Sequence, residues 1–461
     1  MDNEVTRGVK TLLGNPKKAV LKLSIPMIIG MSLQTLYNIV DGIWVSGLGS
    51  DALASIGLFF PFFMIIISLA TGIAVGGSST ISRKIGAGDR EMANSASVHT
   101  LIIGIGLGLL LTILILPFLY PIFHLIGAKG RVVTFVISYS RVLVGGAVIL
   151  VFSNIASGIL RGEGDTKRAM YAMALGALLN MILDPIFIYK LKLGIVGAAW
   201  ATLTSICVTS LLMIFWLFIK KDTFVDISFR SFRFNYTIIK EILRVGIPSS
   251  IAQLSMSVTM FILNIIVVKV SGTDGIAIFT SAWRIMMVGI VPLLGVAIAV
   301  TSVTGAAYGA KDITKLNAGY IFGIRFGFTI ELVIVVLVMI FAPQLAFLFT
   351  YSKGAAHISG NLIIAMRCLV WFLITTPFGM LTSAMFQGIG LGERSMAVTL
   401  LRTIIMQVFF SYLFGVILHN GIVGIWWGIV SGNVTASVIS FIWGYLTIRL
   451  LKKQLNIVEI K

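Results

Sequence analysis

The sequence predicts an all-α polytopic membrane protein: twelve transmembrane helices in two six-helix bundles, related by a pseudo-two-fold axis along the membrane normal. Three observations carry that prediction. The 461-residue chain is 58% hydrophobic and 11% charged, against roughly 25% charged residues in a soluble domain. Apolar runs of membrane-crossing length, about 20 residues each, recur from end to end. The two halves of the chain also repeat one another.

The elements follow in order. Polar residues from Met1 to Lys18 precede the first apolar run, which is a full span with no small-residue cleavage site behind it. A membrane helix is therefore expected there and not a cleaved signal peptide. Spans are expected near 19–45, 51–80, 94–118, 132–157, 168–189 and 195–219, then near 241–268, 275–305, 314–341, 357–388, 394–418 and 424–449. The longest, 51–80 and 275–305, exceed a perpendicular crossing and call for tilt, bending or extension past the lipid.

The repeat has an offset of 222 to 227 residues. Leu23-Ser24-Ile25-Pro26 answers Val245-Gly246-Ile247-Pro248, and Ile85-Gly86-Ala87-Gly88-Asp89 answers Tyr308-Gly309-Ala310-Lys311-Asp312. Arg161-Gly162-Glu163-Gly164 answers Gln387-Gly388-Ile389-Gly390, and Gly194-Ile195-Val196-Gly197 answers Gly421-Ile422-Val423-Gly424. Six spans per half is an even number, so both halves enter the membrane from the same side. Parallel repeats of this kind are a transporter architecture with the substrate site between the halves. The expected organisation is an N-terminal lobe at 1–219, a linker at 220–240 lying on the inner surface as a short amphipathic stretch, and a C-terminal lobe at 241–461. Alternating access would be one bundle rocking against the other.

A net charge of +18 suggests nucleic acid until its distribution is read. Cations gather in alternate loops, among them Arg83, Lys84, Arg161, Lys220, Arg230, Lys311, Arg394 and Lys461, while the intervening loops hold few, such as Lys129 and Lys353. The positive-inside rule then places both termini and the linker in the cytoplasm of a cell-membrane protein. Anionic inner-leaflet lipids explain the charge, and no nucleic-acid partner is needed. Cys207 and Cys368 fall in spans of opposite halves and read as small core residues. The four histidines lack metal-ligand spacing.

Two carboxylates stand out. Asp41 and Asp184 lie inside apolar spans, where an aspartate costs roughly 2.5–3.5 kcal/mol near the midplane and normally faces a wet cavity. Each lies a few residues before the outer end of its span. Tyr139 on the fourth span and Thr202 on the sixth sit at a similar depth. Tyr37 shares a helix face with Asp41, and Asn180 with Asp184, by four-residue spacing; Gln34 and Asn38 continue the polar stripe of the first span. Two carboxylates, an amide and hydroxyls suit a hard cation such as sodium. They suit a proton equally, because two adjacent carboxylates cannot easily both ionise in low dielectric. A hydrogen-bond network that only fixes helix packing is the bland alternative.

The six-plus-six arrangement, Pro26 and Asp41 on the first span, the Gly-rich loop 161–165, the Asn180–Asp184 pair and Met385-Phe386-Gln387-Gly388 together resemble the multidrug and toxic compound extrusion (MATE) family, with closest likeness to its archaeal DinF-type branch. The resemblance covers about Gly14 to Leu451. It implies a MATE/MOP-like fold of two lobes around a large cavity, and a monomeric antiporter exporting amphiphilic, often cationic, compounds. The coupling ion, H+ or Na+, stands where other proteins need a cofactor; none is expected here, nor any catalytic residue. In similar proteins the positions matching Asp41, Asn180, Asp184 and Thr202 form the cation site. The resemblance further implies a bend at Pro26 that accompanies occlusion, against the plainer readings of a static kink or a proline at the start of the helix. Met27, Asn154 and Ser157 are candidates for lining the drug path.

In the second half, Glu331 lies mid-span at a depth close to Arg284 and Arg367, which reads as a buried ion pair or a second protonation site. Other MATE branches carry cation-binding acids on the seventh span; here that span offers Gln253 and Asn264 but, past Glu241 at its very start, no acid. Glu163 reads as a loop-ordering, gating or merely solvated residue. A flippase for a lipid-linked sugar would need arginines in its cavity, and the N-terminal spans offer only Arg141 well inside the membrane. An intramembrane enzyme, such as a lipid-modifying transferase or protease, would need a Ser/His, paired-carboxylate or metal constellation at one membrane face, and no intramembrane histidine pairs with a nucleophile. Carried across the repeat, Asp41 falls on Leu263 or Asn264, Asp184 on Phe410 or Ser411, and Asn180 on Met406 or Gln407. The acids are thus an addition to one lobe.

Overall fold

A computed structural model describes residues 6–127, 129–229, 232–351 and 356–459, with side chains to Gln454. Arg230, Lys353 and Lys461, three of the loop cations counted above, lie outside the described residues. The described chain is nearly all helical, without strands. In order it forms α1 (Arg7–Leu13), α2 (Pro16–Ser46), α3 (Ser50–Gly86), α4 (Arg90–Ile115), α5 (Leu119–Leu125), α6 (Arg131–Gly145), α7 (Ala147–Gly162), α8 (Thr166–Pro185) and α9 (Ile195–Ile214). Then come α10 (Tyr236–Gly309), α11 (Ile313–Thr350), α12 (Ser359–Leu369), α13 (Trp371–Gly388), α14 (Gly392–Leu400), α15 (Val408–Tyr412) and α16 (Gly421–Glu459).

Among the described residues, ten helical stretches are long and apolar enough to cross a membrane, and the α6–α7 pair, bent by 48°, makes an eleventh. The bend falls at Gly146, in the middle of the predicted fourth span. One of the ten, α10, has 74 residues and is broken at Gly272, whose φ is +61°. That break divides it into the predicted seventh and eighth spans, which brings the count to twelve.

The chain divides into two compact units, Met1–Gly14 with Ile25–Ser250, and Asn15–Ser24 with Ile251–Lys461. The division of α2 falls just before Pro26 and that of α10 just after Pro248, so the repeat is visible in the partition itself. It recurs in the loops. Asp89, Asp165 and Asp312 cap α4, α8 and α11, accepting from the backbone N–H of Met92 (2.9 Å), Arg168 (3.1 Å) and Lys315 (2.8 Å). Each follows a left-handed residue, Gly88, Gly164 and Lys311. Such a residue closes the preceding helix, and an aspartate starts the next by satisfying an orphan donor. Lys311 adopts φ +57° without the glycine its counterpart has, a conformation that is costly for any side chain.

The Gly-Ile-Val-Gly motifs behave alike. Gly194 and Gly421 have φ of +58° and +62°. A Cβ on Gly197 would stand 2.6 Å from the Phe187 carbonyl oxygen, and one on Gly424 would stand 2.6 Å from that of Phe414. Both motifs let a helix press onto a π-helical turn, Ile186–Lys190 in one unit and Leu413–Ile417 in the other. In the second unit the core centres on Trp426, stacked on Phe279 at 5.4 Å between ring centroids.

Residues 222–229 are irregular, with alternate side chains Thr223, Val225 and Ile227 buried. The segment is thus amphipathic with a period of two, and it lies within the first unit.

Candidate ion-coupling site

The first unit brings Asp41, Tyr37, Tyr139, Asn180, Asp184 and Thr202 together. Asp184 is the residue before Pro185, which lacks an N–H and so frees a carbonyl one turn back; the helix continues as the π-helical turn Ile186–Lys190. Tyr189 on that turn donates to the Trp44 carbonyl at 2.5 Å and packs edge-on against the Trp44 ring. The C-terminal ends of α2 and α8, which carry the two acids, are thereby tied to each other.

Asp184 is fully buried and its carboxyl lies within hydrogen-bonding reach of that of Asp41, which is half-buried. The Asn180 amide fits with its nitrogen donating to Asp184 Oδ2 at 2.9 Å and its oxygen accepting from Thr202 Oγ1 and the Thr202 backbone N–H at 3.2 Å each. The opposite orientation would set the amide oxygen against a carboxylate oxygen, acceptor facing acceptor. Tyr37 and Tyr139 lie close to both carboxyls, and Tyr139 packs edge-on against Phe59.

One atom is left over. Asp184 Oδ1 is buried with no hydrogen-bond donor. A buried acceptor without a partner costs about 1–3 kcal/mol, more when charged. Two carboxylates in contact therefore call for a proton shared between them, or a small cation beside them, and the carboxylate and hydroxyl oxygens of the cluster fit either. Among the described residues no group of three or more His, Cys, Asp or Glu side chains is placed to hold a metal ion.

The remaining sequence candidates separate from this cluster or change meaning. Gln34 and Asn38 are exposed, so the polar stripe extends beyond the buried acids. Pro26 is buried inside a helix that already begins at Pro16, which excludes a proline at the start of the helix. Met27 and Ser157 are buried, and the half-buried Asn154 donates to the Leu150 carbonyl of its own helix at 3.1 Å. The ion pair expected for Glu331 does not form. Its carboxylate is fully buried with both oxygens unpartnered, while Arg284 and Arg367 are exposed. Similar depth did not imply facing directions, and only the protonation reading keeps its geometry.

Glu163 acquires definite contacts, and His99 and Arg402 gain significance that the sequence did not assign. Glu163, in the loop after α7, is 1% exposed, and its Oε2 accepts the N–H groups of Phe224 (2.9 Å) and Val225 (3.1 Å). Burial pushes its carboxyl up to about 8, opposed by those two donors and by Arg168. Beside it Asp222 is held below the usual carboxylate range; burial pulls it upward, but Lys220 at 2.9 Å and Arg168 at 2.6 Å outweigh that. His99 is buried, with Nδ1 at 2.8 Å from the Ser95 carbonyl and Nε2 accepting the Asn235 N–H at 3.0 Å. Because Nε2 accepts, the ring is neutral with its proton on Nδ1. In the second unit Arg402 is buried with Nη1 unpartnered. A buried cation has no periodicity signal, and only its missing partners reveal it.

The MatE family profile matches residues 26–186 and again 248–413, one match in each half of the repeat. The chain belongs to that family, a family of membrane transporters and not of enzymes. Multidrug export protein MepA of Staphylococcus saprophyticus subsp. saprophyticus is 27% identical over 450 residues, which is 95% of each chain. A solved MATE in complex with MaL6 is 56% identical with a TM-score of 0.95, covering 97% of this chain and 100% of that one. A MOP superfamily transporter from Pyrococcus furiosus, for which reverse polarity of the binding pocket suggests a different function, is likewise 56% identical with a TM-score of 0.95, covering 98% and 100%. Twelve helices in two bundles, the architecture of these transporters, is the fold of this chain.

Proposed function

We propose that the protein is a secondary active exporter of amphiphilic, mostly cationic compounds, driven by antiport of a proton or sodium ion at Asp41 and Asp184. The carrying observation is the buried carboxyl pair with Asp184 Oδ1 lacking a donor. A cation reaching the pair neutralises it, α2 and its neighbours rearrange, and cargo leaves outward. Asn180, Thr202, Tyr37 and Tyr139 hold the pair in register. Relatives named as multidrug exporters support the cargo class. In this reading the lobes are 1–219 and 241–461 joined by 220–240, both termini are cytoplasmic, and the protein works as a monomer.

The test is transport in proteoliposomes under separate sodium and proton gradients. Dye or drug efflux should follow one gradient and fall at least about tenfold, the equivalent of 1.4 kcal/mol, in Asp41→Asn and Asp184→Asn. Efflux fully retained by both variants would sink the proposal.

A second reading has one specific observation behind it. Arg402 is a buried cation with an unpartnered Nη1, and such a group suits an anionic headgroup. Under that reading the cargo is a lipid-linked or otherwise anionic amphiphile, and Arg402→Gln would abolish its transport while sparing that of cationic dyes.

A further inference from the structure

Arg325 is unexplained by the transport site. In the 38 residues of α11 the charged side chains are Lys315, Arg325 and Glu331. Arg325 lies twelve residues into the helix, roughly 18 Å along its axis from Ile313 at 1.5 Å per residue. A cation at such depth is costly and needs a partner or a route to the interface. Glu331 cannot serve, because six residues place it about 240° around the helix, where it is buried while Arg325 is exposed. Among the described residues no carboxylate lies within ion-pair distance of Arg325. Across the repeat, at the offset that pairs Asp89 with Asp312, this position is Ile102. The cation is therefore not a demand of the fold.

The structure supplies a setting for it. Arg325 lines a cleft of about 280 Å3 together with Lys17, Asn317, Ala318, Ile321 and Phe322. Asn317, Ile321 and Arg325 are four apart and form one stripe of α11, and Phe322 stacks on Phe326 at 6.2 Å. Lys17 stands in the first turn of α2, whose Asn15 cap accepts the Lys17 N–H at 3.1 Å and leaves the ammonium free to face the cleft. The lining therefore holds two cations, one amide, an apolar floor and no acid.

We propose that this cleft binds an anionic phospholipid from the leaflet at the N-terminal ends of α2 and α11. The phosphate sits between Lys17 and Arg325, with Asn317 as a further donor, and an acyl chain lies along Ile321 and Phe322. The long Arg325 side chain reaches toward the interface, keeping its stem in apolar surroundings and its guanidinium on the phosphate. A zwitterionic lipid would bring its own cation against Lys17 and bind more weakly. The site depends neither on the coupling ion nor on the cargo.

Native mass spectrometry of the full-length, delipidated protein tests this by titration with dioleoyl phosphatidylglycerol, with dioleoyl phosphatidylcholine, and with inorganic phosphate as competitor. One phosphatidylglycerol should bind ahead of the rest, roughly tenfold or more tighter than phosphatidylcholine. Lys17→Gln/Arg325→Gln should lose that preference, and Arg325→Lys should keep most of it. If the double variant misfolds, Lys17→Gln, at an exposed position, should still weaken the first adduct. An unchanged first adduct in these variants, equal binding of phosphatidylcholine, or displacement by millimolar phosphate would each overturn the proposal, the last by pointing to a free-anion site.

Discussion

Glu163 fastens the segment 222–226 to the loop after α7 through one atom, since both backbone donors point at Oε2. That leaves the other carboxyl oxygen free to carry a proton, so the neutral acid makes the same two bonds as the carboxylate. Burial raises the group from 4.5 to about 8, and at 1.36 kcal/mol per unit the preference for the neutral form is worth up to roughly 5 kcal/mol. The folded value lies above the unfolded one. The stabilisation is therefore complete below about pH 4.5, declines above it, and is lost as pH rises through about 8. Asp165 adds to the upward push and Arg168 opposes it.

Hydrogen exchange of the Phe224 and Val225 amides, corrected for the intrinsic pH dependence, reads this directly. Protection should be greatest below about pH 4.5, fall by up to about tenfold per pH unit above it, and level off above about 8. Glu163→Gln keeps a carbonyl acceptor without a titrating group, so protection should persist at pH 9. Glu163→Ala strands two donors at about 1–3 kcal/mol each and should release the segment at every pH. Wild-type protection that is flat from pH 6 to 9, or the same decline in Glu163→Gln, would refute the reasoning.

Further predictions follow from single contacts. Asn180→Ala removes the donor to Asp184 Oδ2 and the acceptor for Thr202, so ion-driven efflux should fall at least about tenfold while the protein still reaches the membrane, as surface labelling would show. Gly197→Ala and Gly424→Ala each drive a Cβ to 2.6 Å from a carbonyl oxygen; both should lower thermal stability, by about 1–3 kcal/mol, in a melting assay. His99→Ala deprives the Asn235 N–H of its acceptor and should speed tryptic cleavage between residues 220 and 240. Lys311→Gly relieves the left-handed strain at φ +57° and should raise the melting temperature slightly, by roughly 1 kcal/mol of stability.

Much of this protein was written in the order of its residues. Apolar run length set the spans, because a lipid core admits only segments that satisfy their own backbone. The spacing of Pro26 and Pro248, Asp89 and Asp312, and the paired Gly-Ile-Val-Gly motifs exposed the repeat, because caps and close helix contacts are local and demand particular residues. Asp41 and Asp184 were conspicuous for the same reason, as charges where charge is expensive. Their grouping was expected from shared depth and from the family resemblance, but the contact itself depends on the packing of α2, α8 and α9, as does the orientation of Asn180 that leaves Asp184 Oδ1 without a donor. Nor could depth along a helix decide direction around it. Glu331 turned inward without a partner while Arg284, Arg367 and Arg325 faced outward, and Glu163, in a polar loop, became one of the most deeply buried acids. Sequence fixes what a residue costs to bury, because that cost belongs to the side chain. Only the tertiary structure decides whether a partner meets it, because partners come from segments scores of residues away.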